Sequence, residues 1–92
     1  MSIDEELKAA EAAKAAIDSL SISAANRQLL PALRTAQRIA IINLSSGGLL
    51  NEARQKVGIA LSNLIHGPPT QEKIDKAKSA IEAWIKELEG RR

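Results

Sequence analysis

Apolar residues recur along this chain at every third or fourth position in four separate runs, the spacing that gathers them on one face of an α-helix. In the first run the stripe is Ile3, Leu7, Ala10, Ala13, Ile17 and Leu20, with Asp4, Glu5, Lys8 and Glu11 on the outside. The second run carries Leu29, Leu33, Ala36, Ala40 and Leu44, and the third Leu50, Ala53, Val57, Leu61 and Leu64. The fourth is Ile74, Ala77, Ile81, Trp84, Ile85 and Leu88. The pattern predicts helices over 3–20, 23–44, 49–66 and 71–89.

Punctuation between the runs agrees with these limits. Ser2 followed by Glu5 is a capping box, in which each side chain satisfies a backbone donor left open at a helix start. Ser23 is the candidate N-cap of the second helix, and Thr70 that of the fourth. Ser45-Ser46-Gly47-Gly48 separates the second and third helices, with Gly47 suited to the left-handed conformation that ends a helix. Gly67-Pro68-Pro69 stops the third, because glycine can close the last turn and proline cannot continue it.

Pro31 leaves two readings of the second helix. Proline removes a backbone donor and collides with the carbonyl four residues back, so a helix running from 23 would kink near 27–31. Alternatively the regular helix starts at Pro31, a residue well tolerated in a first turn.

Four segments of similar length, roughly 25 to 32 Å at 1.5 Å per residue, joined by short connections place neighbours antiparallel in an up-down-up-down bundle, with a stacked pair of helical hairpins as the alternative. The expected fold is all-α: an antiparallel four-helix bundle with short loops, forming one domain over 1–92. Composition removes the competing classes. Phe and Tyr are missing, Trp84 is the single aromatic residue, and β-branched residues other than Ile are scarce, so no sheet is expected. With no Cys and one His in 92 residues, neither disulfides nor a metal set can staple the chain, and aliphatic packing must hold it. Its 13 basic and 11 acidic residues leave a charge of only +2. No apolar run is long enough to cross a bilayer, and the acids near the start are unlike a signal peptide. A cytoplasmic location is therefore expected.

A short word, Ala then Ile or Leu, two variable residues and a large apolar one, recurs at Ala16, Ala40, Ala60 and Ala80. The second and third helices share more. Leu29, Leu30, Arg34, Ile39, Ala40, Asn43, Leu44 and Gly47 are matched in order by Leu49, Leu50, Arg54, Ile59, Ala60, Asn63, Leu64 and Gly67. Known helical repeats span two helices, whereas this period is one helix plus its loop, which fits similar helices converging on similar core words.

Chemistry is sparse. His66 stands beside Gly67 with no second ligand nearby, and its charged form suits a helix C-terminus. No nucleophile, base and orienting acid can be assembled around it. The glycines of 45–48 lack the lysine and the preceding strand of a phosphate-binding loop, so they read as a turn. Arg27, Arg34 and Arg38 share one outer face of the second helix and are weak anion-binding candidates, helped by Arg91 and Arg92. Nucleic acid is not the expected partner, because aromatic residues for stacking are missing and the acidic first helix can lie alongside.

Lys14 and Arg54 sit at the margins of apolar stripes and read as stems on the core whose heads reach solvent or an acid. Asn43 and Asn63, near helix ends, read as local caps. Some apolar residues are left over from the core. Ile59 lies about 180° from Leu50 on a helical wheel, and Ile42 also faces outward. Together with Ile39 and Ile41 they are the candidate interface, so the oligomeric state stays open between monomer and homodimer.

The matched helices, the capping box, the threonine after Pro-Pro and the run Gln71-Glu72-Lys73-Ile74-Asp75-Lys76-Ala77-Lys78 resemble a computationally designed helical bundle. Pro31, Gly58 and the word Arg38-Ile39-Ala40-Ile41-Ile42-Asn43 depart from an idealised design and resemble natural helical fragments joined together. The resemblance implies a scaffold that is not an enzyme and has no cofactor, metal, required partner or membrane attachment. The alternative is an interaction module that binds a helix, or itself, through the outer faces of the second and third helices.

Overall fold

A computed structural model of the chain describes residues 3–19, 30–44, 48–68 and 70–91. The described residues form four helices and no strand: α1 (Ile3–Asp18), α2 (Leu30–Ile42), α3 (Leu49–Ile65) and α4 (Gln71–Glu89). The helices pack as the sides of a square, α1 on α2, α2 on α3, α3 on α4 and α4 back on α1, so α1 and α3 stand on one diagonal. Directions alternate. Glu6 near the start of α1 meets Trp84 near the end of α4, while Asp18 at the end of α1 pairs with Lys78. Ile41 likewise lies against Gly58, and Asn43 against Arg54, so α2 and α3 are antiparallel. The result is the expected bundle, 37 Å long and 20 × 19 Å across.

The core sits on the long axis, where the four stripes meet. Leu7, Ala10, Ala13, Ala16 and Ile17 enter it from α1, and Leu33, Ala36 and Ala40 from α2. Leu50, Ala53, Val57, Leu61 and Leu64 come from α3, and Ile74, Ala77, Ile81, Trp84 and Leu88 from α4. Alanine supplies much of the α1 and α2 stripes, which leaves room in the centre for the large side chains of α3 and α4.

Helix limits differ from expectation for local reasons. The end of α1 is Asp18 rather than residue 20, and the Ser19 amide is shared between the Ala15 and Ala16 carbonyls. Pro31 is the second residue of α2 as described, a position compatible with its fixed φ and missing N–H. Residues 23–29, where the front of that helix and its kink were expected, lie outside the described residues, as do Leu20, Leu29 and the caps Ser2 and Ser23. At its far end α2 stops at Ile42 instead of 44. Asn43 turns its side chain back onto the Ile39 carbonyl at 2.8 Å, and the Leu44 amide tightens onto Ile41 at 3.2 Å.

That early stop overturns the placement of Leu44 in the core. It is exposed, because the turn carries it off the inward face of α2. Gly47, the expected left-handed glycine, lies outside the described residues; its neighbour Gly48, the N-cap of α3, has φ +93° and ψ 160°. Gly67, expected to close the last turn of α3, does not take a positive φ. The last turn of α3 is closed one residue earlier by His66, whose amide donates to the Ser62 carbonyl. Thr70 caps α4 as expected, its Oγ1 accepting from the Lys73 amide at 3.2 Å.

Candidate functional site

Two features stand apart from ordinary aliphatic packing, one inside the bundle and one on its surface. The interior one is a polar cluster near the end where α1 and α3 begin and α2 and α4 finish. Arg54 Nε donates to Glu6 Oε2 and Nη2 to Glu6 Oε1, each at 2.7 Å, forming a two-pronged ion pair across the α1/α3 diagonal. Arg54 Nη1 donates to the Asn43 carbonyl at 2.8 Å, and Trp84 Nε1 donates to Glu6 Oε2 at the same distance. One cluster thus ties α1, α3, α4 and the end of α2 together.

Position in each helix explains the meeting. At 100° per residue Glu6 lies within about 20° of Ala13 and Ile17, and Arg54 within about 20° of Leu61, so both belong to the buried stripes of their helices. Arg54 therefore reaches an acid, as its marginal position suggested, and that acid is buried. Isolated charges in that environment would carry a large desolvation penalty, offset here by the bidentate geometry and by Trp84. All buried side-chain nitrogen and oxygen atoms among the described residues have partners. Sequence reasoning missed Glu6, although the signal was legible: an acid in one stripe, an arginine in another, and a tryptophan N–H that needs an acceptor.

The surface feature is an open groove of about 480 Å³ between α2 and α3. Its apolar lining is Ile41, Leu44 and Ile59 over Gly58, and its polar lining is Gln37, Gln55, Ser62 and Asn63. Gly58 sets how closely its two walls approach. A Cβ built there would lie 3.3 Å from Cγ1 of Ile41, so the missing side chain lets α2 approach the α3 backbone closely. Ile59 also borders a second groove of about 620 Å³ between α3 and α4, where Lys56, Asp75 and Lys76 put charge on the walls.

Of the candidate interface residues, Ile41 and Ile59 line the first groove together. Ile42 is exposed but outside that lining. Ile39 corrects the expectation of a surface patch: it is partly buried and packs against the core, since it lies on the side of α2 away from Ile41. Arg34 and Arg38 are exposed on α2, whereas Arg27 and Arg92 lie outside the described residues. Asn63 is exposed, and Lys14 is half-buried beside a shallow surface pocket that also borders Asp18 and Glu89. His66 is exposed, with its Nδ1 3.2 Å from Ser62 Oγ. Among the described residues no three acids, histidines or cysteines converge as a metal set, and no helix is long and apolar enough to cross a membrane. Comparison with protein-family models, with characterised proteins and with solved structures finds no match.

Proposed function

We propose that this chain is a structural scaffold whose task is carried by the fold itself, a non-catalytic helical bundle with the cytoplasm of the producing cell as its compartment. The observation that supports this reading is the saturation of the interior cluster. Both Glu6 oxygens accept, all three Arg54 nitrogens donate, and the Trp84 N–H is used. A catalytic or ligand-binding centre keeps a polar group open toward its substrate. This cluster directs its polarity inward, where it joins four helices. The same proposal includes a designed origin, either a computed bundle or natural helical fragments joined together, and the Thr70 cap and the pairing of every buried polar side-chain atom among the described residues are in keeping with it.

The test is folding without any addition. Purified protein in excess chelator should keep its helicity by circular dichroism and melt cooperatively; a large loss of helicity on chelation, recovered by a metal ion or an added small molecule, would refute the scaffold reading.

A second reading, an interaction module acting through α2 and α3, is favoured by a different observation. The large apolar side chains that remain exposed among the described residues, Ile41, Ile42, Leu44, Leu49 and Ile59, all belong to the second half of α2, the turn after it, and α3. Single exposed apolar residues are ordinary, but their concentration on one pair of helices supports reading these helices as a contact surface.

A further inference from the structure

Building on the interaction reading, we propose that the α2–α3 groove is a self-association site and that its occupant is the same groove of a second copy of this chain. A two-fold interface needs one surface to carry both a projection and the hollow that receives it. Ile59 is 65% exposed and stands as a ridge, and directly beside it is the hollow floored by Gly58 and walled by Ile41. Two copies facing each other place each Ile59 against the hollow of the other.

The charge pattern selects this occupant. In a symmetric contact, residues near the axis meet their own copies, so a charge there would meet the same charge. The lining has none, and its polar members Gln37, Gln55 and Asn63 carry both donors and acceptors, so each can pair with an identical group. An acidic or basic partner would find no complement in this groove. The neighbouring α3–α4 groove, with Lys56, Asp75 and Lys76 on its walls, has the opposite character.

Sedimentation equilibrium of the full chain from micromolar to millimolar concentration tests the proposal. The mass should rise from 9.9 kDa toward twice that value. Ile59→Glu should raise the dissociation constant at least about tenfold, or 1.4 kcal/mol. Ala12→Glu alters an exposed side chain on α1, away from the groove, and should leave the constant within about twofold. Gln55→Glu, nearly isosteric and on the exposed rim, guards against a folding defect in the first variant. It should weaken the dimer in low salt and recover in high salt, as screening requires.

A wild-type chain that stays monomeric, or a dimer indifferent to Ile59→Glu and Gln55→Glu, overturns the proposal. The interaction reading is judged separately, with a synthetic amphipathic peptide bearing a leucine face and a glutamine face. If a monomeric chain binds that peptide and Ile59→Glu abolishes binding, the second copy is excluded and the interaction reading stands; if neither association occurs, both fall.

Discussion

Glu6 and Arg54 are where single residues matter most. Removing one member of a buried pair leaves the other charged and without its partner, which costs about 3 to 5 kcal/mol, a large part of the roughly 5 to 15 kcal/mol that holds a small domain together. Arg54→Met should therefore be severely destabilising in denaturant melts. Adding Glu6→Met removes the orphaned carboxylate, so the double variant should be less destabilised than the sum of the single ones by at least about 1 kcal/mol. Strict additivity would mean that the pair is not coupled. Gly48 is a backbone case. No atom lies within 4 Å of a Cβ built there, so Gly48→Ala meets no steric obstacle, yet φ +93° and ψ 160° belong to a region that residues with a side chain avoid. Its expected cost is about 1 to 3 kcal/mol, read from the shift in denaturation midpoint; a neutral result would show that the turn relaxes to negative φ.

Among the elements, α4 followed its sequence most closely, with both limits, its cap and its stripe as expected. Ile81 is fully buried at the middle of that stripe. Ile81→Ala should destabilise by about 2 to 5 kcal/mol, and a loss under about 1 kcal/mol in a urea melt would mean the face is not core. The pair α2 and α3 is more instructive, because matched residues have different fates. Ile39 is partly buried while Ile59 is exposed, Leu44 is exposed while Leu64 is buried, and Arg34 is exposed while Arg54 is buried. The two helices carry similar words but are rotated differently about their own axes. Periodicity locates a stripe, yet a helix with apolar residues on two sides has no local rule for choosing which side turns inward. In α3 the choice is tied to Glu6, which accepts Arg54 only when that face is buried.

For the molecule as a whole, the ring of four packed pairs is closed by α1 against α4, the elements most distant in sequence. Such closure couples the helices, and Trp84 reports on it, being the single tryptophan and bonded to the cluster in which all four sides meet. Trp84 fluorescence and far-ultraviolet circular dichroism should therefore follow one coincident guanidinium transition. Separate midpoints would show that part of the bundle unfolds alone. Exposed ion pairs will contribute little to the measured stability. Lys78 with Asp18 joins α4 to α1, but both side chains are about half exposed, and pairs of that kind are worth a fraction of a kcal/mol.

The helical class, the four elements, the Thr70 cap and the α3 and α4 stripes follow from sequence alone, because each depends on residues only three or four positions apart. Glu6 was legible in part: its place in the α1 stripe could be read, but its pairing spans 48 residues to Arg54 and 78 to Trp84. Only the tertiary structure decided that pairing, the outward turn of Leu44, the inward packing of Ile39 and the groove floored by Gly58. These depend on how far each helix rotates and how closely its neighbour approaches. That is a balance among surfaces from different parts of the chain, and no local spacing encodes it.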